Sequence, residues 1–84
     1  MLTGRIEEAI EALNMAIEVY ERYDPGVRGP GSPAYVEAFF RLGEAYEALG
    51  QPEQAETHYR AARTADPNFA PAIAALDRLS RTFD

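Results

Sequence analysis

Apolar residues recur at helical spacing along this 84-residue chain, and glycine or proline interrupts the pattern at intervals. Between residues 5 and 23 the apolar positions advance by three or four, so they lie on one face of a helix. These positions are Ile6, Ile10, Leu13, Ile17 and Tyr20. No segment alternates apolar and polar residues over the length of a strand. The pattern therefore predicts an all-α fold of about four helices.

Glycine and proline mark the ends of the first two predicted helices. The Gly/Pro-rich segment 24–33 ends the first helix, because proline cannot continue a helix and glycine favours open backbone. Ser32 followed by Pro33 is typical of an N-cap and a first-turn proline, and predicts a second helix that runs to about Leu49. Gly50 is then expected to end the second helix by adopting the left-handed backbone conformation.

A third helix is predicted to begin at Pro52, after a turn of only one or two residues, and to end at Asp66–Pro67. A turn this short predicts an antiparallel hairpin of the second and third helices. Asn68 is expected to cap a fourth helix, which tolerates Pro71 in its first turn. The apolar face of the fourth helix is predicted at Phe69, Ile73, Leu76 and Leu79.

Length, charge and composition narrow the classes of function. A chain of this length excludes most enzyme folds that need a large enclosed site. Fourteen acidic and eight basic side chains give a net charge of −6, which is the wrong sign for binding nucleic acid or an anionic membrane. The absence of cysteine excludes disulfides and thiolate nucleophiles. No signal peptide or transmembrane segment is evident, so a cytoplasmic location is expected.

No group of residues has the spacing of a catalytic or metal site. His58 is the single histidine, is expected at the surface, and lacks the partners that a triad or a zinc site requires. Glutamates at helical spacing, such as Glu44 and Glu47, are interpreted as a solvated face, because no calcium-binding loop of the Asp-x-Asp-x-Asp-Gly type is present. The sequence predicts no catalytic residue, no metal and no cofactor.

The second and third helices carry a spaced set of small and aromatic residues. These are Phe39, Leu42, Gly43, Tyr46, Gly50, Ala55, Tyr59, Ala62 and Pro67. Their spacing resembles the tetratricopeptide repeat, a helix-turn-helix unit of about 34 residues. The resemblance covers one complete repeat at about residues 36–69, with its hairpin at 34–67. In such a hairpin Gly43 and Ala55 are small so that the two helices approach closely.

Half repeats resemble the same family on either side. Residues 5–23 resemble the second helix of a preceding repeat, with Gly4 at the position of Gly50. Residues 68–83 resemble a capping helix, because Asp77 stands where the family has glycine. The resemblance thus implies a single domain over the whole chain, built as a fragment of an α-solenoid.

The resemblance implies a non-catalytic protein-interaction module. In this family, peptides usually lie in a concave groove lined by the first helix of each hairpin, and here that side carries three acids around one exposed aromatic. The expected groove residues are Glu37, Phe40, Glu44 and Glu47. They favour a basic peptide or protein segment with an apolar anchor. Arg78 and Arg81 on the fourth helix have the opposite sign, and are expected to dock on an acidic face of a neighbouring copy.

A structural role is the alternative function. The apolar face of the first helix has no preceding helix to cover it, and solenoids generally need three or more repeats to bury a continuous core. This favours a homo-oligomer, formed by pairing or by exchange of the first helix through the Gly/Pro loop. The third alternative is that the chain is a fragment of a longer array or an engineered piece.

Overall fold

Four helices make up the part of the chain that the computed structural model describes, which is residues 2–23 and 33–83. They are α1 (Leu2–Tyr23), α2 (Pro33–Ala48), α3 (Pro52–Ala65) and α4 (Ala70–Phe83). No strand occurs in these two ranges, and the predicted all-α helical-repeat fold is confirmed. Most of the predicted loop, with the expected N-cap Ser32, lies outside the described residues.

The turn between α2 and α3 follows the sequence prediction. Gly50 has a φ of 76°, the left-handed conformation that glycine adopts without a steric cost. Its N–H donates to the carbonyl of Glu47, and the N–H of Gln51 donates to the carbonyl of Tyr46, both at 2.9 Å. These bonds satisfy carbonyls that the end of α2 would otherwise leave open. Pro52 then occupies the first turn of α3.

Gly4 does not form a turn like that of Gly50. It lies inside α1, and a side chain added at Gly4 would contact nothing within 4 Å. The expected match between the two glycines was therefore wrong in conformation. The first helix begins at Leu2 rather than near Arg5, so it includes Gly4 in its first turn.

The start of α4 also differs from the prediction. The carbonyl of Phe69 accepts the N–H of Ile73 at 3.3 Å, so Phe69 occupies the N-cap position and the expected cap at Asn68 was wrong. The cause is Asp66, whose carboxylate accepts the N–H of Asn68 at 3.0 Å and whose carbonyl accepts the N–H of Phe69 at 3.0 Å. This local turn moves the start of the helix to Ala70.

The hairpin of α2 and α3 forms the centre of the core. Leu42, Ala55 and Ala62 have no exposed surface, and Tyr59 is 1% exposed. Gly43 lies against the ring of Tyr59 so closely that no side chain fits between them. The small residues thus act as the sequence predicted, by bringing the helices together around one aromatic ring.

The helix α1 packs on α2 of the same chain. Ile17 is buried in a cluster with Tyr35 and Leu42, and Ile10 and Leu13 are half-buried against it. Ile10, Leu13 and Ile17 of the predicted apolar face thus pack as expected, whereas Ile6 is half-buried outside this cluster and the side chain of Tyr20 lies outside what the structure describes. At the edge of the contact the Tyr35 hydroxyl donates to Glu21 at 2.7 Å. Burial and this bond raise the pKa of Tyr35 to about 12.

The helix α4 packs on α3 with small and aliphatic side chains. Four of them are buried, namely Ala72, Ala75, Leu76 and Leu79. Ile73 was expected on this face, but it is 43% exposed. The reason is that α3 covers one side of α4 only, and Ile73 lies beyond the edge of that contact.

Candidate peptide-binding groove

An open groove of about 530 Å³ lies between α2 and α4, with α3 beneath it. The wall from α2 carries Phe40, Glu44 and Glu47, and the wall from α4 carries Ala74 and Arg78. The ring of Tyr59 lies between the two walls. Four of the six predicted partner-binding residues therefore line one groove.

Glu47 holds the two walls together. Its carboxylate accepts one hydrogen bond from each terminal nitrogen of the Arg78 guanidinium, both at 2.7 Å, so the two side chains form a bidentate ion pair. It also accepts the hydroxyl of Tyr59 at 2.5 Å. One carboxylate thus connects α2, α3 and α4 at the bottom of the groove.

The charges of this network stabilise one another. The hydrogen bond from Arg78 lowers the pKa of Glu47, against the opposing effect of burial, and the bond from Tyr59 lowers it further. Burial, followed by the Glu47 carboxylate, raises the pKa of Tyr59. The hydrogen bond to Glu47 raises the pKa of Arg78. Glu47 is therefore ionised and Tyr59 neutral over the physiological pH range.

Arg78 has a partner within its own chain, because its guanidinium binds Glu47. Its expected contact with a neighbouring copy stays a prediction. The two residues are 31 positions apart, so helix periodicity cannot relate them. Arg81 pairs with Asp77 one turn away at 3.1 Å, on an exposed face outside the groove.

Phe40 is half-buried rather than exposed. Its ring centroid lies 5.5 Å from that of Tyr59, and 5.6 Å from that of Phe69 with the rings nearly perpendicular. The sequence interpretation missed this because Phe69 reaches Phe40 only after the chain turns into α4. Part of the ring still lines the groove, so Phe40 serves both packing and the groove surface.

The remaining acids of the predicted stripe share one cation. Arg41 donates to Glu44 at 2.9 Å and to Glu37 at 3.3 Å, and all three side chains are exposed. The hydrogen bond that Arg41 donates to Glu44 is the main cause that raises the pKa of Arg41. The sequence interpretation did not include Arg41, although its spacing of three and four from the two acids is that of helical ion pairs. Glu37 lies outside the lining of the groove.

A second, larger groove of about 670 Å³ lies beside α1 and the α2–α3 turn. Glu7, Glu8 and Glu11 line it together with Tyr46. These three acids make no ion pair with any residue in the described ranges. The sequence shows several glutamates in α1, but helical spacing alone does not place them beside the hairpin turn.

The single histidine, His58, packs against the α2 helix. The ring of His58 stacks on that of Tyr46, with a centroid distance of 5.0 Å and an angle of 20°. Its Nδ1 lies 2.9 Å from the carbonyl of Gln54, and since a carbonyl only accepts, Nδ1 carries the proton. His58 is thus half-buried, not fully at the surface. The described residues include no group of three or more side chains suited to hold a metal.

None of the described helices is long and apolar enough to cross a membrane. The cytoplasmic location stays a prediction.

Comparison with known proteins identifies the repeat. Searches against curated proteins and against solved structures returned no match. A protein-family model described as tetratricopeptide repeat matches residues 1–68, which include α1, α2 and α3. Proteins of this kind are typically non-catalytic and act in protein–protein interaction. The helical hairpin, its glycine turn and the family match together show that the chain belongs to the tetratricopeptide repeat family.

Proposed function

We propose that this chain is a non-catalytic interaction module that binds a peptide segment of a partner protein in the groove between α2 and α4. The observation that carries the proposal is the groove itself, which is open to solvent between two walls joined by the Glu47–Arg78 pair and is lined in part by the half-buried ring of Phe40. Side chains already held in place lose little conformational entropy when a partner binds. Membership of a family of interaction modules supports the same conclusion.

The groove favours a partner with an apolar anchor. Ala74 is exposed beside the partly open ring of Phe40, and this leaves room for one large apolar side chain. Such an anchor in a pocket is the usual centre of a peptide interface.

The charges around the groove favour a basic residue next to the anchor. Three carboxylates, those of Glu37, Glu44 and Glu47, lie near two guanidinium groups, those of Arg41 and Arg78, which leaves an excess of one negative charge. Because Arg78 neutralises Glu47, the preference for a basic segment is weaker than the sequence alone implies. We expect it to affect specificity and association rate more than affinity.

Self-association is a second candidate function, and a specific observation favours it. Met15 is 65% exposed and Val19 is 49% exposed on α1, while Ile73 is 43% exposed on α4. Large apolar side chains on two opposite ends of a small domain favour contact with another protein. Exchange of α1 stays a prediction, and it is not needed for association, because α1 already packs on α2 of its own chain.

A peptide selection tests the groove. Peptides selected from a phage-displayed library on the immobilised chain should combine a large apolar residue with arginine or lysine. Ala74→Gln fills the groove with a longer side chain and should abolish their binding. Ala48→Gln is the matched control, since Ala48 is exposed at the end of α2 away from the groove, and it should bind as the wild type does.

The same peptides separate the two grooves and the role of charge. Glu44→Gln should weaken binding of the basic peptides, and Glu53→Gln, an exposed acid on α3, should not. If the selected peptides are lost with Glu11→Gln and retained with Ala74→Gln, the binding site is the groove beside α1 and the proposal is wrong. A selection that enriches no peptide refutes it as well.

A further inference from the structure

We infer that copies of this chain associate end to end, with the outer face of α1 in one copy packed into a groove between α3 and α4 of the next. The inference rests on self-association, the second candidate function, and specifies which surfaces meet. The outer face of α1 is defined by Ala12, Met15 and Val19. The end groove is defined by Glu56, Arg60 and Arg63 of α3 and by Ile73, Leu76 and Asp77 of α4.

The outer face of α1 is apolar and uncovered within the described part of the chain. Ala12, Met15 and Val19 follow one another at steps of three and four, so they lie on one side of the helix. All three are exposed. They are distinct from the residues that pack on α2, such as Leu13 and Ile17.

The corresponding face of α3 is covered, because it packs on α2. With Ala9 aligned on Ala55, Ala12 corresponds to His58 and Val19 to Ala65. In the hairpin His58 stacks on Tyr46 of α2, and Ala65 packs against the cluster that contains Leu42 of α2. The face that α3 uses to pack on α2 is therefore the face that α1 leaves open.

The opposite end of the molecule has the complementary surface. The end groove has a volume of about 380 Å³ and lies between α3 and α4. Ile73 on its wall corresponds to Phe39 of α2, when the chain is aligned at the family spacing. Phe39 packs against clusters shared with α1 and α3, whereas Ile73 is 43% exposed. The surface of α4 is thus open where α2 is covered.

Charge selects this pairing over the symmetric ones. The helix α1 has five glutamates and two arginines, and Glu8 and Glu11 on and beside its outer face make no ion pair within the ranges described. The end groove presents Arg60 paired with Glu56, and Asp77 paired with Arg81, so its one cation without an ion-pair partner in the described part of the chain is Arg63. Two copies of α1 would bring excess negative charge together, and two end grooves would bring the unpaired Arg63 of each copy together. The head-to-tail contact instead brings Arg63 of one copy near the unpaired acids of α1 in the next.

A head-to-tail contact has a consequence for the size of the assembly. Each contact uses the α1 face of one copy and the end groove of another, so a dimer still has one free surface of each kind. Such an interface gives a ring or an open series rather than a closed two-fold dimer. The mean mass should therefore rise with concentration beyond that of two chains.

Two charge substitutions block the two surfaces separately. Met15→Arg places a cation on the α1 face, opposite Arg63 of the next copy, and Ile73→Glu places an anion in the end groove, opposite the acids of α1. Both positions are exposed, so the fold should persist, which circular dichroism and thermal melting check. Each unpaired charge should weaken the contact on the order of 100-fold. Ala48→Glu is the control at an exposed site outside both surfaces.

Sedimentation equilibrium of the variants alone and mixed decides the matter. The wild type and the control should show growing mass, each blocked variant should be a monomer, and an equimolar mixture of the two should form a dimer and nothing larger. A dimer of Ile73→Glu alone would mean that α1 pairs with α1, so the head-to-tail inference would fail while self-association stood. A wild type that stays monomeric at every concentration would overturn both, without affecting peptide binding in the α2–α4 groove.

Discussion

Gly43→Ala is the change that tests the packing of the α2–α3 hairpin most directly. A Cβ at this position would lie 2.6 Å from Cδ1 and 2.8 Å from Cζ of Tyr59, and closer still to Cε1. Ordinary contact would require the ring to move by roughly 1 Å. The ring has no free space for this movement, because Tyr59 is 1% exposed and its hydroxyl is bound to Glu47.

The substitution changes the unfolding free energy in two opposite directions. Alanine is favoured over glycine inside a helix by about 1 kcal/mol. Overpacking a filled core costs about 1–3 kcal/mol, and displacing the ring weakens a hydrogen bond to a charged group, which contributes about 1.5 kcal/mol or more. The variant should therefore lose about 2 kcal/mol of unfolding free energy, or roughly 10 °C in Tm for a domain of this size.

Thermal and urea denaturation followed by circular dichroism measure this loss. Gly4→Ala is the matched control, because it makes the same change in a helix with nothing within 4 Å, and its stability should stay the same or rise. In a Tyr59→Leu background the smaller side chain leaves space, so adding Gly43→Ala should cost much less than it does alone. If Gly43→Ala melts at or above the wild-type temperature, the close contact with Tyr59 does not constrain the hairpin.

Three further predictions concern the residues of the groove. Because the pKa of Glu47 is lowered in the folded chain, its ionised carboxylate stabilises the fold above the ordinary pKa of 4.5. This stabilisation is lost as pH falls through the lower pKa of the folded state. Glu47→Gln should therefore reduce the fall of the urea midpoint at acid pH. Arg78→Met should lower the unfolding free energy by roughly 0.5–1 kcal/mol, and high salt should reduce the difference, as paired melts at two salt concentrations would show. Phe40→Ala should lower the unfolding free energy measured by chemical denaturation by about 2 kcal/mol, because the ring packs on Tyr59 and Phe69. An unchanged unfolding free energy would mean that the Phe40 ring contributes to the groove surface alone.

The helices and the hairpin could be predicted because their signals are local. Gly50 and Pro52 act through their own backbone geometry, so the turn follows from two residues without knowledge of any distant contact. The positions of Leu42, Ala55 and Tyr59 also follow from helical spacing, since the two helices are joined by a turn that allows only an antiparallel arrangement. The start of α4 escaped prediction because two residues, Asp66 and Asn68, could each have formed the local turn.

The side of α2 that carries the expected groove residues followed from the resemblance to the repeat family, but the contacts of those side chains did not. Glu44, Glu47 and Phe40 do line the groove between α2 and α4, and their role in binding stays a prediction. Spacing gives no information on a residue 31 positions away, so the neutralisation of Glu47 by Arg78 was missed.

The exposed aliphatic residues reflect a further limit of helical periodicity. Periodicity identifies the apolar side of a helix, but not the width of the arc that a neighbouring helix covers. In α4 that arc includes Leu76 and Leu79 and stops short of Ile73. In α1 it includes Ile17 and stops short of Met15. Each helix is therefore apolar over a wider arc than its own chain covers within the described residues, and the two uncovered arcs lie on opposite ends of the molecule. In the proposed head-to-tail contact, the uncovered arc of each helix would be buried against that of the next copy.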